Sequence, residues 1–426
     1  MQIVLKYGKA GLKIPFPGGC EITQIEKKPM PVMANPTDAL QQALQQPLSG
    51  EPLEKVAATA QNACILICDI TRPVPNGVIL PVLVRRLLKA GLGPGAITVL
   101  VATGLHRPNQ GEELAELVGD SWVLDTVKVK NHFARNDSDH VDLGKTVNGL
   151  PIKLDRRFVD ADLKIVTGLV EPHFMAGFSG GRKVIVPGIA HQDTIRQFHT
   201  AKFLEHPRAA NCVLDGNPLH DVQLEIVRKL IPVMAVNAVI DDRRRVTFLN
   251  YGEIETSHME AVDFLRTYVE IAVPQKFSTV VTSAGGYPLD KTYYQTVKGM
   301  VGAMDILKPG GDLVIVSECS EGMGSVEYVA AQKCLIGMGP KNFLDSLLSK
   351  QQAAIDEWQT EMQLKPMRLG SIHLYSDLLP AEQRALTGVQ QVSGLSETLQ
   401  ACIQRQDDQR IAVIPDGPYV VPVCAD

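Results

Sequence analysis

No stretch of the 426-residue chain approaches the ~20 consecutive apolar residues that span a bilayer. The start, MQIVLKYGKAG, lacks the basic opening, apolar core and small-residue cleavage site of a secretory leader, so a cytoplasmic location is expected. There is no excess of positive charge. The 42 Lys+Arg stand against 47 Asp+Glu, a net charge of −5, which argues against a surface built to bind nucleic acid or anionic membrane. Any anion site must therefore be built locally. The eight cysteines show no C-x-x-C and no paired spacing, and Cys64 and Cys68 share one face of an apolar run. They read as reduced, buried, hydrophobe-like residues. No repeat of fixed period and no low-complexity tract is visible. Gly91-Leu92-Gly93-Pro94-Gly95 precedes a strand instead of following one, so it is no dinucleotide fingerprint. No H-E-x-x-H or similar zinc spacing occurs, and His132, His140, His206 and His220 sit in polar contexts.

What is present is an ordinary globular composition, 45% apolar and 21% charged. The length allows two or three domains at roughly 150 residues each. One grammar recurs: a short Val-, Ile- and Leu-rich run, a polar loop, then a helical pattern. Strands are expected at Cys64–Asp69, Ile97–Ala102, Leu163–Thr167, Thr279–Ala284, Asp312–Ser317, Ser371–Tyr375 and Ile411–Pro415. Continuous apolar runs separated by helices indicate parallel strands buried on both faces. Val78–Ala90 reads as a crossover helix despite Pro81, with Gly91 and Gly93 suited to end it. The fold class is α/β, two domains, each with a mostly parallel sheet flanked by helices. The expected boundaries are 1–270, 271–400, and a last segment, 401–426, that packs back on either domain.

In open parallel sheets ligands sit at the carboxyl ends of strands, so the loops there come first. Asp69-Ile70-Thr71-Arg72-Pro73 presents a carboxylate, a hydroxyl and a guanidinium; it reads equally as an Asp–Arg pair holding a loop or as part of a site. Thr103-Gly104-Leu105-His106-Arg107-Pro108 sets a histidine beside an arginine, either a proton carrier next to an anion clamp or a hydrogen-bonded turn. The densest segment runs from Gly168 to Gly188 and contains Glu171-Pro172-His173 and Ser179-Gly180-Gly181-Arg182-Lys183. Its glycines, Ser, Arg and Lys suit a phosphate, because backbone N–H groups approach closely where no Cβ intrudes. It is not a Walker A loop: the spacing is wrong and no Ser or Thr follows Lys183. His191–Leu204 reads as one helix with His199 on its apolar face, four residues from Ile195 and Phe203. By itself that is a core histidine. Farther on, Lys291–Gly299 follows a Gly-Gly turn. If it is helical, Tyr294 and Lys298 share a face with Gln295 alongside, a face that binds a carboxylate or simply exposes a lysine.

Taken together, D-I-T-R-P (69–73), G-L-H-R-P (104–108), E-P-H-F-M-A-G-F-S-G-G-R-K (171–183), His199 and Y-Q-T-V-K (294–298) resemble the LarA family of nickel-dependent lactate racemases and related 2-epimerases. Trp358 is similar to a tryptophan that covers the substrate pocket there. The resemblance spans most of the chain and keeps the motifs in order.

It implies a nickel pincer nucleotide, a pyridinium mononucleotide with two sulfur-bearing arms, joined covalently to a lysine that matches Lys183. Nickel would be held by the cofactor and one protein imidazole matching His199, a donor set suited to that metal. Asp69, Thr71, Ser179, Gly180 and Gly181 match the cofactor surroundings. The implied reaction inverts Cα of a 2-hydroxy acid by removing and returning hydride. His106 and His173 would be opposed bases, while Arg72, Tyr294, Gln295, Lys298 and Trp358 hold the substrate in a cleft between the two domains. Asp69 would support Arg72 or the nucleotide. The expected substrate is lactate; other 2-hydroxy acids (malate, an aromatic hydroxy acid or a sugar acid) are alternatives within the same chemistry. A histidine-based metal-dependent hydrolase and a non-catalytic cofactor carrier are the rival classes. Accessory cofactor-making proteins are implied partners.

Overall fold

The runs rich in Val, Ile and Leu become buried strands in the computed structural model, which describes residues 2–424. Two compact units result, and each draws on separate stretches of chain.

The first unit comprises Pro29–Phe198 and Val213–Thr267. Its sheet runs Val246–Glu253, Met234–Ile240, Leu163–Leu169, Ala63–Cys68, Ile97–Ala102, Lys128–Asn131. Every neighbouring pair is parallel except the antiparallel edge strand Val246–Glu253. All six residues of Ala63–Cys68 are buried, as a central strand covered on both faces requires. The chain starts this sheet in the middle, builds outward to Lys128–Asn131, then returns to the other side of Ala63–Cys68. Strand order therefore reverses between Ala63–Cys68 and Leu163–Leu169, and the loops leaving those two strands open onto the switch point. The first crossover helix is Asn76–Lys89. It continues through Pro81, where the lost backbone donor is outweighed by burial of Ile79, Leu80, Val82, Leu83, Val84 and Leu87.

The second unit comprises Met1–Lys28, His199–Cys212 and Tyr268–Asp426. Its sheet is wholly parallel, in the order Gln390–Val392, Ser371–Tyr375, Leu307–Val316, Phe277–Ser283, Arg410–Ile414, Glu21–Gln24. The helix Tyr293–Ala303 lies close on Phe277–Ser283 because Gly299, having no side chain, meets the Ser283 carbonyl directly.

This division differs from the contiguous segments 1–270, 271–400 and 401–426 expected from sequence. The cause is strand pairing across the ends of the chain. Glu21–Gln24 hydrogen-bonds to Arg410–Ile414, and Glu270–Val273 to Val421–Cys424, so both termini join the second unit. The expected single helix 191–204 is also interrupted. It forms as Gln192–Phe198 and Ala201–Leu204, with His199 and the extended Thr200 between them. No helix among the described residues is long and apolar enough to cross a membrane.

Candidate functional site

Because Ala63–Cys68 pairs with Ile97–Ala102 on one side and Leu163–Leu169 on the other, three loops leave adjacent strands at the same end. The loop after the first carries Asp69, which is buried. Its carboxylate accepts hydrogen bonds from the Thr71 N–H (3.2 Å) and hydroxyl (2.5 Å) through one oxygen, and lies 2.6 Å from His106 Nδ1 through the other. Burial alone would raise this carboxyl; the His106 hydrogen bond and charge, with help from Thr71 and Arg72, hold it below its ordinary value. An ionised Asp69 fixes the His106 proton on Nδ1, so the basic nitrogen of the neutral ring is Nε2. Arg72, expected to lean on Asp69, instead pairs with Glu171 at 2.7 Å. Nothing local in the sequence marks Glu171 as this partner, although it opens the E-P-H-F segment.

The third loop folds into a tight hairpin, Pro172–His173 against Gly177–Phe178. Nδ1 of His173 accepts from the Met175 and Ala176 N–H groups at 3.3 and 3.1 Å. Ser179 is buried and uses its hydroxyl inside the loop, donating to Leu169 O (2.7 Å) and accepting from Glu171 N–H (3.0 Å). It therefore shapes the loop around the cofactor candidates. Gly180 and Gly181 take φ of +76° and +46°, which a side chain would resist. The Gly181 position is backed by the His258 ring, 2.8 Å from where a Cβ would sit. Arg182 turns fully inward: its guanidinium donates to Ala176 O (2.8 Å), lies 3.1 Å from His258 Nε2, and among the described residues meets no carboxylate. Burial pushes it down to about 9. Lys183 is half-buried in a segment whose other members are mostly buried. Its charge, with those of Arg72 and Asp69, acts on the Cys68 thiol, which burial pushes up to about 11. The helix Arg182–Ile185 that carries the tether candidate packs against the strand Ala63–Cys68, which leads into the Asp69 loop.

The second unit gathers the other candidates. The His199 ring lies against Trp358, centroids 4.7 Å apart and tilted by 32°. Trp358 Nε1 donates to the Tyr294 hydroxyl at 3.2 Å, and Gln359 Nε2 to Tyr294 O at 2.6 Å. The helix Tyr293–Ala303 carries Tyr294, Gln295 and Lys298, all half-buried. Gln295 Oε1 is buried without a hydrogen-bond partner. An orphaned amide oxygen one turn from a lysine suits a small polar ligand. Within the first unit, an amine on a glycine-rich loop and a basic group at Arg72 could hold an anionic cofactor; within the second, the His199 imidazole beside an indole could hold a metal.

One further group has metal-ligand chemistry. Ligand atoms of Asp312, His373 and Cys402 lie within 4.8 Å of one another and are buried. Arg405 already occupies the cation's place. It pairs with Asp312, lies 3.3 Å from His373 Nε2 and donates to Cys402 Sγ at 3.8 Å. This is a structural ion pair.

Several histidines that the sequence places in polar contexts or leaves unmarked are buried, among them His140, His220 and His258. Desolvation holds each of these three below the ordinary imidazole value, with Arg182 adding to the effect on the last two, and His220 falls to about 3. Each favours the neutral ring in the folded protein and takes up a proton near pH 6.5 when unfolded. Their contribution is complete above pH 6.5 and is lost as pH falls below it, at up to about 1.4 kcal/mol per pH unit for each. Glu361 acts in the opposite direction. Burial, then the Glu205 charge, raises it to about 8, so its contribution is present below its unfolded value and is lost as pH rises through about 8. His220→Gln is expected to flatten the acid limb of stability below pH 6.5 relative to the parent protein. Denaturant midpoints measured from pH 7.5 to 4.5 check this; parallel curves for the two proteins would contradict it.

A lactate racemase N-terminal domain family model matches residues 7–211, and a lactate racemase C-terminal domain model matches residues 273–422. The chain is similar to the lactate racemase of Thermoanaerobacterium thermosaccharolyticum, 29% identical over 425 residues and covering 99% of both chains. The lactate racemase of Lactiplantibacillus plantarum is 30% identical over 388 residues, 90% of each. The solved lactate racemase apoprotein from T. thermosaccharolyticum superposes with a TM-score of 0.91 at 28% identity, covering 99% of this chain and 100% of that one. A Thermotoga maritima protein shares the fold, with a TM-score of 0.62 at 17% identity over 89% of this chain and 99% of its own.

Proposed function

The chain belongs to the lactate racemase family, and from that premise we propose that it racemises a short 2-hydroxy acid, lactate first, with a lysine-tethered nickel pincer nucleotide as its resident cofactor. It is an isomerase of the racemase class. The observation that carries the reading is the Asp69–His106 pair at 2.6 Å, at a strand end beside the Lys183 loop.

Lys183 would hold the nucleotide and His199 the nickel, with Thr71, Gly180 and Gly181 around them. When bound, that group supplies the acceptor and donor of hydride at Cα, whose hydrogen is too weakly acidic beside a carboxylate for direct proton removal. His106 Nε2 takes the hydroxyl proton, and Asp69 stabilises the imidazolium that forms. His173 is the second proton-handling group. Arg72, oriented by Glu171, together with Gln295 and Lys298, binds the carboxylate. Tyr294 and Trp358, joined by their hydrogen bond, cover the small apolar end of the substrate and keep water from it. Loading requires accessory cofactor-making proteins in the producing cell.

Protein made alongside such enzymes should convert either pure enantiomer of lactate to a one-to-one mixture. It should be tested against single-enantiomer malate, an aromatic hydroxy acid and a sugar acid as well, with chiral chromatography as the readout. Inversion of malate alone would move the substrate assignment. No inversion of any of them by loaded protein would overturn the reading in favour of a carrier.

A further inference from the structure

We propose that Asn217 and Arg182 are positioning residues that fix His173 as its Nε2–H tautomer, making it chemically unlike His106. The link to catalysis rests on the reading of His173 as a proton-handling group; the tautomer itself does not.

The argument begins with the backbone of Met175 and Ala176 at the tip of the His173 hairpin. The N–H groups of Met175 and Ala176 both point at His173 Nδ1, at 3.3 and 3.1 Å. The carbonyls of the same two residues are each gripped by a buried side chain. Met175 O accepts from Asn217 Nδ2 at 2.9 Å, and Ala176 O accepts from an Arg182 guanidinium nitrogen at 2.8 Å. Asn217 and Arg182 are 0% and 1% exposed. Asn217 is anchored in turn: its Nδ2 also donates to Val213 O, and its Oδ1 caps the helix Pro218–Arg228 by accepting from the Leu219 and His220 N–H groups. Arg182 is braced by His258. Gly177, the next residue of the tip, has φ of +76° and packs against Val213 O, which leaves the turn little freedom to move. Burying a guanidinium with no carboxylate is costly, so its retention beside the Lys183 loop calls for a role that its contacts explain.

A nitrogen that faces two N–H donors must present a lone pair. The neutral His173 ring therefore carries its proton on Nε2. In His106 the arrangement is reversed, because the Asp69 carboxylate draws the proton to Nδ1 and leaves Nε2 as the lone pair. At rest the two rings therefore face a substrate hydroxyl in opposite states, His106 with a lone pair at Nε2 and His173 with a proton there. Proton uptake at His173 Nε2 requires the Met175–Ala176 turn first to release the ring.

Ring-15N histidine labelling of the protein without cofactor tests this, with His173→Asn and His106→Asn used to assign the signals. The expected spectrum of the neutral rings shows an unprotonated Nδ1 and protonated Nε2 for His173, and the converse for His106. Asn217→Ser keeps a good helix cap but loses the amide donor to Met175 O. It should keep its melting temperature within a few degrees while His173 changes to a mixture of tautomers and His106 does not change. Arg182→Lys provides a second perturbation of the same turn. In loaded enzyme, either change should lower kcat by about 10–10²-fold with KM little altered. A protonated Nδ1 on His173 in the parent protein, or an unchanged His173 pattern in folded Asn217→Ser, would overturn the proposal. The labelling needs neither cofactor nor turnover. Failure to racemise lactate, with the tautomers as described, would therefore count against the proposed function and not against the clamp.

Discussion

Asp69→Asn is expected to lower turnover in both directions by about 10²–10⁴-fold while leaving the fold intact. The carboxylate does two things that an amide cannot. It accepts from His106 Nδ1–H, and it stabilises the charge that His106 acquires when it takes a proton. An asparagine can offer its NH2 to Nδ1 instead, which places the ring proton on Nε2, where the substrate proton must go. The Thr71 contacts with the other oxygen survive the change, so the loop keeps its shape. Because its partners hold Asp69 below the ordinary carboxyl range, the aspartate is ionised throughout the neutral range. The loss of rate in the variant should therefore be similar at pH 7 and pH 8. Initial rates from each lactate enantiomer, alongside a denaturation midpoint, make the comparison. A loss of less than about threefold would place Asp69 outside the proton path.

Lys183→Ala should abolish both cofactor attachment and racemisation. The side chain is half-buried on a loop whose neighbours are packed inward, and no adjacent lysine can replace it in the Ser-Gly-Gly-Arg-Lys run. Intact mass of the parent protein, made with the cofactor-making enzymes, should exceed its sequence mass by that of the nucleotide; the variant should show sequence mass alone. His199→Ala separates the tether from the metal ligand. It should keep the added mass and lose most nickel, since these are different bonds made by different residues. An unmodified parent protein from a competent host would remove the basis for the cofactor assignment. Full nickel occupancy in His199→Ala would remove the basis for that ligand.

Strand positions and α/β class were legible because buried parallel strands are continuous apolar runs. Ile97–Ala102 and Ser371–Tyr375 match their expected bounds, and the others shift by a few residues. What periodicity could not show was pairing between distant segments. Glu21–Gln24 is short and polar, and nothing local reveals that it completes a sheet with residues near 410. Helical spacing placed His199 inside one apolar-faced helix, yet the chain turns at Thr200, and the histidine lies against Trp358 across a long sequence separation. The loop histidines were found from strand-end logic. Their partners were not: Asp69 with His106 and Arg72 with Glu171 are matches between loops that only adjacent strands bring together. The roles of Arg182 and Asn217 left no sequence signal, because they act through backbone carbonyls.

The pairing of Glu21–Gln24 with Arg410–Ile414 also governs what happens during synthesis. The strand leaves the ribosome almost first, and its partner almost last. At about 5–20 residues per second the delay is roughly 20–80 s. Within it, Pro29–Phe198 and Val213–Thr267 are both translated, so the first unit can close before the second has its central strands in register. Through that interval the leading segment is an unpaired strand attached to a nascent chain. Glu21, Thr23 and Gln24, with only Ile22 and Ile25 apolar among them, make it a poor template for pairing with other chains while it waits. A ribosome stalled before residue 410 would thus present a finished first unit and a second one that lacks its edge.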